Sequence, residues 1–155
     1  MIVDASVVLR AFFPDEHQPH AQALIRGHVS GQVQLCAPTI LLYELTNAVW
    51  QAERRGRISD TDTEAILAAF DGLGIAVEAV SWREVLAVAR RFNRSAYDAA
   101  YLALAEARGE PLVTADLRLY HAVHEQLDWV WWLGDVTEIV EPLQPIVENG
   151  EENNA

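Results

Sequence analysis

The sequence predicts an α/β protein in which helices flank a parallel β-sheet. Short apolar segments of strand length recur along the chain, and segments with apolar residues at helical spacing separate them. Strands that are joined by helices pair in parallel, because the helix returns the chain to the same end of the sheet. In such sheets, ligands bind at the carboxyl ends of the strands. We therefore expect the functional site at that edge.

Five segments have the composition and length of strands. They span residues 2–3, 34–37, 75–80, 112–114 and 129–132. The last is rich in tryptophan, and we expect it to be buried on both faces, as is common in parallel sheets. A contact with a partner protein is the alternative, since tryptophan is enriched at interfaces.

Seven segments between and after these strands have helical patterns. With their capping residues, they span residues 5–13, 17–29, 38–55, 59–74, 81–92, 95–109 and 117–127. Pro38 suits the first turn of its helix, where a missing N–H costs nothing. Ser59 with Asp62, and Ser95 with Asp98, have the spacing of a capping box, in which two polar side chains satisfy the first free N–H groups.

Length and composition indicate one globular domain. The chain has 155 residues, of which 51% are apolar, and no apolar run is long enough for a membrane-spanning helix. A single cysteine, Cys36, cannot form an internal disulfide, and we expect a cytoplasmic protein. All 11 basic residues are arginine, which excludes mechanisms that need a lysine, such as a P-loop or a Schiff base.

The charge is strongly negative and unevenly distributed. The formal net charge is −12, from 23 acidic and 11 basic residues. Residues 135–155 hold six acids and no arginine, whereas the preceding 134 residues hold 17 acids and all the arginines. We expect residues 145–155 to form an acidic, disordered tail.

Two carboxylates follow predicted strands. Asp4 comes directly after the first strand, and Asp116 comes two residues after the fourth. Since the carboxyl ends of parallel strands share one edge, both side chains are expected there. For Asp116 the alternative is a simple N-cap on the helix that follows.

Two further carboxylates lie on helices among apolar neighbours. Glu44 has Ile40, Leu41 and Ala48 at helical spacing, which predicts an inward carboxylate without an arginine partner. A buried, unpaired charge is costly, so a metal ion, a distant arginine or protonation must satisfy it. Alternatively, the helix rotates Glu44 to the rim. Asp98 also has apolar helical neighbours, and its alternative role is the capping box.

Taken together, the four acids predict a divalent metal site. Converging carboxylates raise each other's pKa values, and a cation relieves their repulsion. Oxygen ligands favour Mg²⁺ or Mn²⁺, and the sequence has no His/Cys spacing typical of zinc. Without a Gly-rich phosphate loop, the chemistry that remains is metal-dependent hydrolysis of a phosphodiester.

The segments that hold these acids resemble the PIN domain family, and in particular VapC-type toxins of type II toxin–antitoxin modules. They span residues 2–6, 43–45, 97–105 and 114–119. The resemblance implies a three-layer fold with a five-stranded parallel sheet in the order 3-2-1-4-5. The resemblance spans about residues 1–134, and we expect residues 1–144 to form a PIN-like nuclease domain. It implies Mg²⁺- or Mn²⁺-dependent endoribonuclease activity. It also implies a homodimer and a cognate antitoxin.

The resemblance also assigns roles to individual residues. Asp4, Glu44, Asp98 and Asp116 would form the catalytic, metal-binding set. Three polar residues would support them, namely Ser6, Asn47 and Thr114. Two alternatives stay open: a housekeeping PIN nuclease that matures RNA, or a PIN-like module that binds RNA or protein without catalysis.

The available cations form two clusters, Arg54-Arg55-Arg57 and Arg90-Arg91-Arg94. We take Arg90, Arg91 and Arg94 as the candidate RNA contacts. RNA affinity is largely electrostatic, and a chain of net charge −12 needs local positive charge to bind it. The alternative is that these arginines complement the dipole at the end of their helix.

Overall fold

The computed structural model describes residues 1–16 and 18–136, and it contains the five predicted strands. The strands are β1 (Ile2–Val3), β2 (Cys36–Pro38), β3 (Ala76–Glu78), β4 (Leu112–Thr114) and β5 (Val130–Trp132). The helices in the described residues are α1 (Ala5–Phe12), α2 (Pro19–Val29), α3 (Ile40–Arg54), α4 (Asp60–Leu73), α5 (Trp82–Phe92), α6 (Ala96–Arg108) and α7 (Leu117–Val123). A short 3-10 helix follows at Leu133–Asp135.

All five strands pair in parallel in the order β3-β2-β1-β4-β5, which confirms the predicted fold. The short strand β1 lies at the centre, where Ile2 is in register with Cys36 on one side and Leu112 on the other. The chain order changes direction at β1, since β2 and β4 are its two neighbours. Such a switch point leaves a crevice beyond the strand ends, where functional residues collect.

The three central strands form the middle of the core. Every residue of β1, β2 and β4 is buried, as expected for strands that are covered on both faces. Helix α6 packs on β1 and β2, α1 packs on β4, and α7 packs on β4 and β5. A second, smaller core joins the end of α1 to α3 and α4 through Phe13, Val49 and Ile66.

The edge strands are more exposed than the central ones. In β3, Ala76 and Val77 are exposed. The prediction that the tryptophan-rich segment is buried on both faces was wrong: Trp129, Trp131 and Trp132 are half-buried. Because β5 has only one neighbouring strand, its side chains receive less cover.

Several element boundaries differ from the predictions by one to four residues, and two of these differences involve a proline. Pro38 ends β2 and does not begin the next helix, which starts at Ile40. A proline is tolerated at the end of a strand, and its pairing with Glu78 extends the sheet to that point. The second helix begins at Pro19, and the predicted start at His17 lies outside the described residues. The predicted acidic tail at 145–155 also lies outside them.

The thiol of Cys36 is buried between two strands. Its Sγ donates a hydrogen bond to Glu78 Oε1 at 3.4 Å. Burial, together with the carboxylate of Glu78, raises the pKa of the thiol. Among the described residues, none of the helices is both long and apolar enough to cross a bilayer.

Candidate active site

Asp4 is the buried centre of the candidate site. It follows β1 directly, and only 7% of its surface is exposed. Its Oδ2 accepts hydrogen bonds from Ser6 Oγ at 2.7 Å and from Thr114 Oγ1 at 2.6 Å. Burial raises the pKa of Asp4, and the nearby charge of Asp116 adds to this, although the two hydroxyl donors oppose it.

Two hydroxyl groups connect the end of β1 to the end of β4. Thr114 Oγ1 donates to Asp4 and accepts from the backbone N–H of Asp116 at 3.0 Å. Ser6 Oγ in turn accepts from the N–H of Ala115 at 3.0 Å. These bonds fix the two strand ends side by side, so both predicted carboxylates lie at one edge of the sheet.

Asp116 is both an N-cap and a neighbour of Asp4. Its Oδ1 accepts from the N–H groups of Arg118 at 2.8 Å and Leu119 at 3.4 Å, at the start of α7. Asp116 therefore has the role that was given as its alternative, an N-cap on the helix that follows. This role does not remove Asp116 from the site, because its charge contributes to the raised pKa of Asp4.

Glu44 enters the site from α3 and is half-buried. Its Oε2 accepts a hydrogen bond from the hydroxyl of Tyr101 at 2.5 Å. Burial raises the pKa of Glu44, and the charges of Asp4 and Asp98 raise it further, whereas the tyrosine hydroxyl lowers it. The partner of this carboxylate is thus a tyrosine from α6, and not an arginine.

Asp98 lies in the first turn of α6 and is half-buried. Its backbone N–H donates to Ser95 Oγ at 3.0 Å, so half of the predicted capping box is present. Within the described residues, no hydrogen bond reaches its carboxylate. That group shares a cavity of about 380 Å³ with Asp116 and Arg94, and its charge acts on Glu44.

The four carboxylates form a connected series. Asp116 acts on Asp4, Asp4 acts on Glu44, and Glu44 is also influenced by Asp98. In the described residues, the arginine contact to this series is that of Arg118 with Asp116, at 3.6 Å. Most of the negative charge is therefore not compensated by the protein.

The chemistry of this donor set fits a hard divalent cation. Carboxylates and hydroxyls are oxygen ligands, and a cation would stabilise the charges that burial disfavours. In the present conformation, however, no three acidic, histidine or cysteine side chains of residues 1–16 and 18–136 are grouped closely enough to hold one ion. Glu44 and Asp116 instead bind Tyr101 and the start of α7.

The polar residues predicted to support the acids have different positions. Ser6 and Thr114 contact Asp4 directly. Asn47 is exposed on α3, one turn after Glu44, and the two line a common cavity of about 380 Å³ together with Tyr43 and Tyr97.

The three arginines that were predicted to bind RNA also lie in different surroundings. Arg94 lines the cavity that holds Asp98. Arg91 donates two hydrogen bonds of 2.7 Å to the carboxylate of Glu106. Arg90 is exposed at the end of α5.

Sequence reasoning missed Tyr101. It was interpreted as one of the apolar neighbours of Asp98, but its hydroxyl is buried and needs a hydrogen-bond partner. A tyrosine three residues after an inward carboxylate, on the same helix face, is the signal that could have identified it.

The comparisons with known proteins agree with this architecture. The PIN domain family matches residues 1–125. The chain is 32% identical over 123 residues to Ribonuclease VapC3 of Pyrobaculum aerophilum, a match that covers 77% of this chain and 91% of the relative. It is 34% identical over 119 residues to Ribonuclease VapC9 of Mycobacterium tuberculosis, covering 77% and 87% respectively.

A solved structure supports the same assignment. The crystal structure of PAE2754 from Pyrobaculum aerophilum superimposes with a TM-score of 0.63 at 25% sequence identity, covering 90% of this chain and 94% of the other. With its parallel sheet in the order 3-2-1-4-5 and its acids at the end of β1, on α3, on α6 and after β4, this chain belongs to the PIN domain family and is a relative of the VapC ribonucleases.

Proposed function

We propose that this protein is a Mg²⁺- or Mn²⁺-dependent endoribonuclease that acts as the toxin of a toxin–antitoxin module. One observation carries the proposal: Asp4 is buried at the end of β1, and it forms a connected series with Asp116, Glu44 and Asp98 that has little compensating positive charge. Similarity to proteins named VapC ribonucleases supports RNA as the substrate.

Asp4, Glu44, Asp98 and Asp116 would hold the metal. A bound divalent ion supplies an activated water and stabilises the negative charge that develops on the phosphodiester. The side chains of the protein orient the carboxylates and set their protonation. The hydroxyls of Ser6 and Thr114 keep the Asp4 carboxylate in one orientation, and their hydrogen bonds favour its ionised form.

The hydroxyl of Tyr101 likewise orients the Glu44 carboxylate and favours its ionised form. This hydroxyl donates to one carboxylate oxygen, Oε2, which leaves the second oxygen available as a ligand. Because Tyr101 is itself almost completely buried, it holds the Glu44 side chain against the core. This arrangement pre-orients the carboxylate before metal or substrate binds.

The proposed partners follow from the same family membership. We propose a homodimer and a cognate antitoxin that covers the acidic site. A housekeeping nuclease of the same family would cleave RNA equally well but would not be neutralised by the product of an adjacent gene. If a small gene lies next to the gene of this protein, co-expression of the two, followed by an RNA cleavage assay, separates these two functions.

The test of the catalytic proposal is Asp4→Asn. We expect isothermal calorimetry to show Mg²⁺ or Mn²⁺ binding to the wild type and not to the variant. Cleavage of single-stranded RNA should fall by at least about 100-fold, since a metal contributes several kcal/mol to such a reaction. Asp71→Asn, an exposed acid on α4, is the matched control and should behave as the wild type.

The outcome of this test is decisive for the enzyme class. Thermal unfolding checks that Asp4→Asn is folded. If the folded variant binds metal and cleaves RNA as well as the wild type, Asp4 has only a structural role. If neither protein binds metal or cleaves RNA, a PIN-like binding module becomes the better description.

A further inference from the structure

A large cleft lined by arginine lies beside the carboxylates. It has a volume of about 510 Å³, and α1, α3 and the start of α7 contribute to its walls. Its arginines are Arg10, Arg55, Arg57 and Arg118. We call this cavity the arginine cleft. Its lining holds four of the 11 arginines and two acids, Glu16 and Asp116, so it has a net positive charge in a chain that is strongly acidic.

Two of these arginines are not neutralised by the protein. The side chains of Arg10 and Arg55 have no hydrogen bond and no ion pair with any residue in the described part of the chain. The acids near Arg10 are Asp15 and Glu16, and both are bound by the guanidinium of Arg57, at 2.5 Å in each case. Arg10 is half-buried and Arg55 is exposed. A guanidinium group that lines a cleft without an anionic partner is a candidate for binding an external anion.

Arg118 is equally available. Its side chain is 91% exposed, and its contact with Asp116 is a loose one of 3.6 Å. It lines both the arginine cleft and the cavity that holds Asp98 and Arg94. Positive side chains therefore lie on two sides of the carboxylates.

The arginine cleft is continuous with the candidate active site. Ser6, Asn47 and Asp116 belong to its walls. On α3, Asn47, Gln51 and Arg55 recur at intervals of four residues and follow Glu44 along one side of the helix. At 1.5 Å per residue, the 11 positions between Glu44 and Arg55 span about 16 Å along the helix axis.

We propose that the arginine cleft binds the phosphodiester backbone of single-stranded RNA next to the bond that is cleaved. The proposal rests on the proposed nuclease function. A strand whose scissile phosphate lies at the carboxylates must place its neighbouring phosphates nearby, and guanidinium groups bind phosphate oxygens in a bidentate manner. Local arginines also explain how a chain of net charge −12 can hold a polyanion.

The test measures RNA binding directly. The probe is a short single-stranded RNA of mixed sequence with a 5′ fluorophore, and anisotropy is recorded in EDTA, which prevents metal-dependent cleavage. We expect the double variant Arg10→Ala/Arg55→Ala to bind at least roughly tenfold more weakly than the wild type. For each arginine lost, the slope of log K against log salt should become shallower by about 0.7.

The matched control removes the same charge elsewhere. Arg26 and Arg83 are exposed on α2 and α5, outside the arginine cleft. Arg26→Ala/Arg83→Ala should retain wild-type affinity and salt slope. Thermal unfolding confirms that both double variants are folded, which matters because Arg57 packs over Phe13 at the floor of the same region.

The outcomes separate the two proposals. If the wild type fails to bind the probe, or if both double variants bind like the wild type or lose affinity equally, the cleft proposal is wrong. If the wild type binds through Arg10 and Arg55 but cleaves no RNA in Mg²⁺ or Mn²⁺, the arginine cleft is an RNA-binding site, whereas the nuclease proposal and the position of the cleft beside a cleaved bond are wrong.

Discussion

Two helices of this protein begin with the same sequence pattern and use it differently. Helix α4 follows Ser59 with Asp62 three residues later, and α6 follows Ser95 with Asp98 at the same spacing. At α4 the capping box is complete: Ser59 Oγ accepts from the N–H of Asp62, and Asp62 Oδ2 accepts from the N–H of Ser59 at 3.0 Å. At α6 only the serine makes its bond.

The difference comes from what surrounds each carboxylate. Asp62 is exposed, and its hydrogen bonds to Ser59 lower its pKa. Asp98 is half-buried and faces Glu44. Six residues after the capping serine, α4 has the exposed Ala65, whereas α6 has the buried Tyr101 that binds Glu44. One local motif can therefore serve stability in one place and leave a carboxylate free for chemistry in another.

The largest expected effect comes from substituting the aspartates at the two helix starts, Asp98 and Asp62, one at a time. We expect Asp98→Asn to reduce RNA cleavage by at least about 100-fold, since it removes a proposed metal ligand. Asp62→Asn should cleave RNA at the wild-type rate. Single-turnover cleavage in Mn²⁺ is the measurement, and equal losses in the two variants would contradict the distinction between the two helix starts.

The second effect concerns Tyr101→Phe. The substitution removes the donor to Glu44 and leaves a half-buried acceptor unsatisfied, which should lower the free energy of unfolding by about 1–3 kcal/mol. It should also move the acidic limb of the cleavage pH profile to higher pH, because the hydroxyl lowers the pKa of Glu44. Chemical denaturation and the pH profile measure these changes.

A tyrosine with an exposed ring is the control for this variant. Tyr43 is 73% exposed, and its hydroxyl has no hydrogen bond within the described residues. Tyr43→Phe should change neither the stability nor the pH profile. An unshifted profile in Tyr101→Phe would show that the hydrogen bond does not tune Glu44.

The third effect is the loss of each serine cap. Ser59→Ala and Ser95→Ala should each lower the free energy of unfolding by about 1 kcal/mol, since both serines satisfy a backbone N–H at a helix start. We expect only Ser95→Ala to slow RNA cleavage as well, because it loosens the turn that carries Asp98. A Ser59→Ala protein with impaired cleavage would be inconsistent with this expectation.

The smallest expected effect is on the pH dependence of stability in the metal-free protein. Glu44 and Asp62 should contribute to it with opposite signs. The pKa of Glu44 is raised by folding, so its contribution to stability is present at low pH and is lost as the pH rises through the folded value. The pKa of Asp62 is lowered, so its contribution is lost as the pH falls below about 4. Melting temperatures in EDTA across this range, compared with Glu44→Gln and Asp62→Asn, measure both signs.

The sequence was sufficient for the order of elements and for the carboxylates that follow strands. Asp4 and Asp116 could be located because parallel strands end at a common edge. The two Ser-x-x-Asp motifs could not be distinguished, because a capping pattern is local and burial is not. The end of β2 at Pro38 depends in the same way on pairing with Glu78, a residue 40 positions away.

The arginines illustrate the same limit. Arg90, Arg91 and Arg94 are neighbours in sequence, yet Arg91 binds Glu106 on α6 and Arg94 lines the cavity of Asp98. Arg10 and Arg55 are far apart in the chain and share one cleft. Which cations meet depends on tertiary packing, which periodicity alone does not specify.

The buried thiol between β2 and β3 has a practical consequence for spectroscopy. Cys36 is the single cysteine of the chain, and its raised pKa keeps it in the unreactive thiol form at neutral pH. A cysteine introduced at an exposed position such as Arg26 would therefore be the one thiol that reacts readily with a maleimide dye. An Arg26→Cys variant can thus be labelled for single-molecule fluorescence without first removing Cys36.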